Sequence, residues 1–216
     1  VQKALFGYGS GSSSLTNLVN SSGVIASDTT GVGTGRSGLA AASYGGDKAI
    51  FGYGTTGSNV SLTNLVNNSG VVAADVTGVG TARSNLEAAG YGGDKAIFGY
   101  GNSGSASSLT NLVSNSGVVA ADVTGVGTAR YTLGAADYGT DKAIFAFGTT
   151  GSVTNLSNLV SNSGIVASDT AGVGTARNYL AAASYGGDKA IFGYGYAGGN
   201  VSMTNLVTNV GVVGTD

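Results

Sequence analysis

The chain has 216 residues, enough for one domain with a full hydrophobic core. It contains 40 glycines and no proline, cysteine, histidine or tryptophan, which excludes disulfides, thiol nucleophiles and a histidine-based catalytic triad. The formal net charge is −2 and only 9% of residues are charged, so we expect no binding to nucleic acid. The apolar runs are short and no signal-peptide pattern is visible, so we also expect no membrane insertion.

The sequence repeats itself with a period of 47 residues, set by Lys48, Lys95, Lys142 and Lys189. Each of these lysines opens the same pattern, Lys-Ala-Ile-Phe, and a related copy begins at Lys3. Such self-similarity is typical of repeat architectures. We treat 1–216 as a single domain of five repeats, numbered 1 to 5: 1–34, 35–81, 82–128, 129–175 and 176–216.

One full repeat predicts four short strands, which we call a, b, c and d. In repeat 3 they are 86–91, 95–100, 109–113 and 118–123. Gly92-Gly93 between strands a and b suits a hairpin turn with positive φ. Strand b is apolar on both faces, so we expect it to be covered on both sides.

Four antiparallel strands per period predict an all-β fold, a β-propeller of about five four-stranded blades. Strands b, c and d occur five times but strand a only four times, because the first copy starts at strand b. Three explanations are open: a fragment of a longer array, an incomplete ring, or a protomer that receives the strand from a partner. We favour one ring of five blades, with one inner strand missing or supplied otherwise.

Residues 82–101 carry a family resemblance: an arginine precedes a small apolar strand, and the next strand ends in Gly-Tyr-Gly. This pattern resembles the first half of a kelch repeat, which implies a propeller. The repeats are also similar to glycine-rich arrays in structural proteins of marine bacteriophages. That second resemblance implies an extracellular or virion-surface location.

Nearly every charged residue recurs once per repeat, which is unlike a single asymmetric catalytic site. We predict that the recurring aspartates and arginines form structural ion pairs or turn caps within or between blades: Asp28, Arg36, Asp75, Arg83, Asp122, Arg130, Asp169 and Arg177. Glu87 and Asp137 are the exceptions, and as a carboxylate pair they are the only enzymatic alternative. Without histidine, cysteine or a calcium loop, we expect no metal and no cofactor. We predict a protein that is not an enzyme.

Two places vary between copies: the residues after each arginine and the b–c loop. In an antiparallel meander both lie on the same face, where variable loops on a fixed scaffold often bind partners. The alternative is neutral drift in exposed loops. We predict contact with a glycan or a protein at Asn85, Tyr131, Thr132, Asn178, Tyr179 and Tyr196. The tyrosines of Gly-Tyr-Gly, including Tyr194, are expected in the core between blades.

The favoured function is therefore a non-enzymatic structural or binding propeller. The alternative is an engineered or recently duplicated repeat scaffold without a ligand, which forms homo-oligomers by strand exchange through the incomplete blade.

Overall fold

The computed structural model describes residues 4–216, so the predictions for residues 1–3, including Lys3, lie outside the described part. The protein is built of antiparallel strands, with one short 3-10 turn at Ser10–Ser12. The strands of repeats 1 and 2 are β1 (Ala4–Gly9), β2 (Ser13–Val19), β3 (Ala40–Tyr44), β4 (Lys48–Gly52) and β5 (Thr63–Val66). Those of repeats 3 to 5 are β6 (Glu87–Tyr91), β7 (Lys95–Gly99), β8 (Thr110–Val113), β9 (Gly134–Tyr138), β10 (Lys142–Ala146), β11 (Ser157–Val160), β12 (Ala181–Tyr185), β13 (Lys189–Gly193) and β14 (Thr204–Val207).

Within residues 4–216 the strands form five separate sheets, one for each repeat. Repeats 2 to 5 each have three strands in the order a–b–c, whereas repeat 1 has only β1 and β2. The predicted hairpin turn is confirmed, since Gly92 and Gly93 have φ of 62° and 77°. The prediction of an all-β chain of repeated antiparallel sheets is therefore confirmed.

The predicted fourth strand is wrong as a regular strand. In repeat 3 only Val119 and Val123 form isolated bridges, to Val113 and Thr110. The side chain of Asn111 on strand c explains why the backbone pairing is interrupted. Its amide donates a hydrogen bond of 3.0 Å to the Ala120 carbonyl, which lies between the two bridges. Strand d is therefore held partly by a side chain rather than by a continuous backbone ladder.

The hydrophobic cores lie between successive repeats. Between repeats 2 and 3, for example, Tyr44, Ile50 and Tyr53 pack against Leu86 and Phe98. Three equivalent cores join the other neighbours. Because each sheet buries its apolar faces only against the sheets of neighbouring repeats, the repeats depend on one another for stability.

The two ends of the array are uncovered. Phe6 of repeat 1 is 59% exposed, whereas its counterparts Phe98, Phe145 and Phe192 are fully buried. Tyr194 of repeat 5 is 63% exposed, whereas Tyr53 and Tyr100 are fully buried. The prediction that Tyr194 lies in a core is wrong, because no repeat within the described chain packs against that face.

The a strands of repeats 2 to 5 border one shared cavity of about 550 Å³. Its walls are small residues of β3, β6, β9 and β12, such as Ala42, Ala89, Ala136 and Ala183. Small side chains allow these strands to come close together.

Candidate functional site

A fully buried arginine fixes each of repeats 2 to 5. In repeat 3, Arg83 Nε donates a hydrogen bond of 2.8 Å to the Tyr100 carbonyl, and one Nη donates a hydrogen bond of 2.6 Å to Asn111 Oδ1. Its other Nη donates 3.1 Å to the Thr81 carbonyl. The planar guanidinium thus ties the turn before strand a to the end of strand b and to strand c. Arg36, Arg130 and Arg177 make equivalent bonds.

Each arginine also faces an aspartate at the end of its own repeat. Asp122 lies 3.7 Å from Arg83 and accepts hydrogen bonds from the Thr81 backbone N–H, the Thr81 hydroxyl and the Asn111 amide. Burial raises the pKa of the Asp122 carboxyl, but these hydrogen bonds and the charge of Arg83 outweigh it. The pKa therefore lies below its ordinary value, and the carboxylate stays charged and partnered.

The recurring arginines and aspartates do form ion pairs, but the expected pairing of Asp75 with Arg83, and of their equivalents, is wrong. Each arginine pairs with the aspartate late in its own repeat. The pairs are Arg36–Asp75, Arg83–Asp122, Arg130–Asp169 and Arg177–Asp216. Asp28 accepts a hydrogen bond from Asn17 and has no arginine partner within residues 4–216. Repeat 1 lacks the strand that carries the arginine elsewhere.

The face of each guanidinium stacks on an aromatic ring of the preceding repeat. Arg83 lies 4.4 Å from the centroid of Tyr53, whose ring also meets Phe98 edge-on at 5.1 Å. Burial raises the pKa of the Tyr53 hydroxyl to about 12, so it stays neutral and donates to the Val79 carbonyl. These contacts lock neighbouring repeats in one relative position.

On this scaffold, the structure pairs the two variable places of each repeat. Tyr131 bridges to Thr149 of the b–c loop, and Asn178 bridges to Tyr196. Ser37 and Ser84 bridge in the same way to Thr55 and Asn102. The loops that differ most between copies thus lie side by side in each of repeats 2 to 5. We call this surface the rim.

One row of rim residues is linked from repeat to repeat. The Asn85 N–H donates a hydrogen bond of 2.7 Å to the Gly38 carbonyl. In the same way, the Thr132 N–H donates to the Asn85 carbonyl, and the Tyr179 N–H donates to the Thr132 carbonyl. Asn85, Thr132 and Tyr179 all have φ near 51–52°, the left-handed region. Such positive φ is uncommon outside glycine and marks backbone that the surrounding structure holds in place.

The six candidate residues differ in accessibility. Tyr179 is 70% exposed and Tyr196 is also exposed, whereas Thr132 and Asn178 are buried and Tyr131 is half-buried. Tyr179 and Tyr196 line one groove of about 550 Å³ with Tyr194, Asn200 and Val201. Asn85 is exposed in repeat 3, two repeats away. The structure therefore brings two of the six together in one recess.

Two features in and beside this groove were not predicted. Tyr194 forms part of its wall, because no guanidinium within residues 4–216 covers its ring. The Asn178 side-chain oxygen is buried without a hydrogen-bond partner within residues 4–216, next to the bridge with Tyr196. A buried acceptor of this kind needs an explanation such as a bound water or ligand group.

Glu87 and Asp137 do not form a carboxylate pair. Glu87 begins β6, whereas Asp137 is near the end of β9 and accepts a 2.6 Å hydrogen bond from Ser184. Burial raises the pKa of Glu87 to about 8, although its side chain keeps some contact with solvent. Residues 4–216 contain no cluster of three or more acidic side chains placed to hold a metal ion.

Comparison with protein-family models and with curated protein sequences gave no match. Among the described residues, no helix has the length and apolar character that crossing a bilayer requires.

Proposed function

We propose that the chain is a non-enzymatic β-propeller whose repeats act as blades around a common axis. The shared cavity between β3, β6, β9 and β12 supports this arrangement, because the inner strands of a propeller surround its axis. The ring stacking between neighbours supports a rigid disc. By its resemblance to phage arrays, we place the protein on a virion or cell surface.

We further propose that the rim binds a glycan. The observation that carries this proposal is the groove in which Tyr179 and Tyr196 lie beside Asn200. Exposed aromatic rings offer a flat apolar surface for sugar C–H groups, while amides supply hydrogen bonds. The backbone row holds the main chain of Tyr179, and the bridge to Asn178 holds that of Tyr196. Both are therefore in place before binding, which lowers the entropy cost of association. A protein partner is the second possibility for the same surface.

A glycan array with the wild-type chain tests this function. Two variants carry the residue found at the same place in repeat 3: Tyr179→Asn and Tyr196→Asn, after Asn85 and Asn102. Each is expected to weaken retention about tenfold, the loss of one stacking contact of about 1 kcal/mol or slightly more. The control is Val118→Ser, at an exposed c–d turn away from the rim. An array without hits, or equal retention by all variants, would refute glycan binding.

The alternative is a duplicated or engineered scaffold that has no ligand and assembles by strand exchange. One observation favours it: β1 pairs only with β2, so one edge of β1 is open within the described residues. Open edges are templates for another strand. A concentration-dependent mass in light scattering, combined with a blank glycan array, is the result expected from this alternative.

A further inference from the structure

The end face of repeat 5 is a vacant copy of a contact that the chain makes four times. We define this face by Tyr194, Gly195 and the backbone of Tyr179. The rings equivalent to Tyr194 are each covered by a guanidinium of the following repeat, at 4.1 to 4.5 Å from the ring centroid. Tyr194 has no such cover and is 63% exposed.

The contact between repeats 3 and 4 shows which groups an occupant must supply. Arg130 stacks on Tyr100 at 4.3 Å, and its backbone carbonyl accepts a 2.9 Å hydrogen bond from the Gly101 N–H. Two residues on, the Thr132 N–H donates 2.9 Å to the Asn85 carbonyl. Leu133 then enters the core beside Tyr100. The recognised unit is thus an Arg-x-x-Leu segment whose third residue is left-handed, since Thr132 has φ of 51°.

Repeat 5 presents the same groups with no partner in residues 4–216. The Gly195 N–H corresponds to that of Gly101, and the Tyr179 carbonyl corresponds to that of Asn85. Neither forms a backbone hydrogen bond of this series. The sequence of repeat 5 therefore keeps every element of the receiving half of the contact.

The receiving half is already in its bound shape. Tyr194 has φ of 62°, close to 64° and 65° at Tyr53 and Tyr100. Arg177 Nε holds its carbonyl at 2.9 Å. A backbone that already has its bound conformation loses little entropy when a segment docks on it.

A second copy of this chain does not supply the missing half. Besides the end face of repeat 5, its uncovered repeat face within the described residues is that of repeat 1, where residues 4–34 contain Phe6 but no arginine. Since the contact depends on a guanidinium, the occupant must carry one.

We propose that the end face of repeat 5 binds an Arg-x-x-Leu segment from outside residues 4–216, with its third residue in the left-handed conformation seen at Thr132. Its guanidinium stacks on Tyr194, and the backbone carbonyl of its arginine accepts a hydrogen bond from the Gly195 N–H. Its leucine packs beside the Tyr194 ring. The end face shares Tyr194 and Gly195 with the groove proposed for the glycan. The peptide contact nevertheless goes beyond glycan binding, because it depends on the Tyr194 ring and on backbone groups rather than on the side chain of Tyr196.

The probe is a capped, fluorescently labelled peptide with the sequence of residues 81–89, Thr-Ala-Arg-Ser-Asn-Leu-Glu-Ala-Ala, titrated against the full chain. We expect saturable binding with a shift of the Gly195 amide resonance. Replacing the peptide arginine by glutamine is expected to weaken binding at least about tenfold, and replacing it by lysine less, since lysine retains a charge but not the flat guanidinium.

Variants of the protein separate stacking from mere hydrophobicity. Tyr194→Leu is expected to reduce affinity about tenfold, and Tyr194→Phe to keep it, because Phe147 already serves as such a ring under Arg177. Tyr194 is exposed, so neither change removes a core residue. Tyr196→Asn is expected to leave peptide binding unchanged while it weakens glycan retention, which keeps the two proposals distinguishable.

Three results would overturn the proposal. The first is no binding at millimolar peptide. The second is binding that does not change when the peptide arginine is replaced. The third is self-association of the protein that is abolished by Phe6→Ser and unaffected by the peptide, which would assign the end face to a second copy.

Discussion

The Cζ atom of Phe145 lies 2.7 Å from the point that a β-carbon on Gly99 would occupy. The ring of repeat 4 therefore fits over strand b of repeat 3 only because Gly99 has no side chain. Repeat 4 has Ala146 at this position, but its cross-strand partner there is Gly134. One member of this pair is thus glycine in every repeat with a strand a, which leaves room for the next phenylalanine.

Gly99→Ala is expected to destabilise the protein by about 1–3 kcal/mol, because the added methyl would push Phe145 out of its core. Gly193→Ala is the matched control. The nearest atom to its β-carbon is Thr204 Cγ2 at 3.5 Å, and no ring follows, so we expect a change below about 0.5 kcal/mol. Urea unfolding measures both. Equal effects would show that the Phe145 contact is not what requires glycine.

Arg83→Met is expected to cost about 3 kcal/mol or more, because it leaves Asn111 and the Tyr100 carbonyl buried without their donor. Lys95→Met provides the comparison. Lys95 pairs with Asp94 at 2.9 Å, but both side chains are partly exposed and screened by solvent, so its loss is expected to cost far less than that of Arg83. Thermal unfolding of both variants checks the order, and a larger loss from Lys95→Met would contradict it.

Glu87→Ala is expected to stabilise the protein at alkaline pH but not at acidic pH. The folded pKa of about 8 exceeds the unfolded value of about 4.3, so the folded state binds a proton that the unfolded state releases. Stability is therefore complete below about pH 4 and falls towards pH 8, with a slope of at most about 1.4 kcal/mol per pH unit. Alanine already occupies the equivalent positions 40 and 181.

The measurement is the difference in free energy of unfolding between Glu87→Ala and wild type from pH 4 to 9. Glu87→Gln, which keeps the size of the side chain, serves as the control and is expected to follow the same trend. A difference that stays constant with pH would show that the Glu87 carboxyl titrates normally.

Thr140→Gly is expected to stabilise the protein by about 1 kcal/mol. Thr140 has φ of 71°, a conformation that costs a β-branched residue about 1–3 kcal/mol, and the entropy cost of glycine offsets part of the gain. The reciprocal change, Gly93→Thr, introduces the same strain where no atom lies within 4 Å of the new β-carbon, and is expected to destabilise. Shifts of the same sign in both variants would rule out backbone strain as the cause.

The sequence was sufficient for strands a, b and c. Their apolar alternation and the Gly92-Gly93 turn give β6 and β7 within a residue or two. Strand d could not be predicted correctly, because its interruption depends on the Asn111 side chain reaching a carbonyl nine residues later. The alternation of side chains in residues 118–123 does not indicate that contact.

The site was less predictable. Comparing copies identified the variable places, but not that Thr132 and Asn178 are buried. The Arg83–Asp122 pair joins the two ends of one repeat, which spacing alone does not reveal. Tyr194 looks like its buried counterparts in sequence, and only its position as the last ring of the array makes it accessible.

The molecule has four separate hydrophobic cores, each between two successive repeats. Its stability is therefore a sum of the stabilities of single repeats and of the interfaces between neighbours, rather than that of one common core. Interior units have two neighbours and terminal units have one, so opening begins at the termini and moves inward. Deuterium uptake is therefore expected to be graded along the chain, with the amide of Ile144 outlasting that of Ile191.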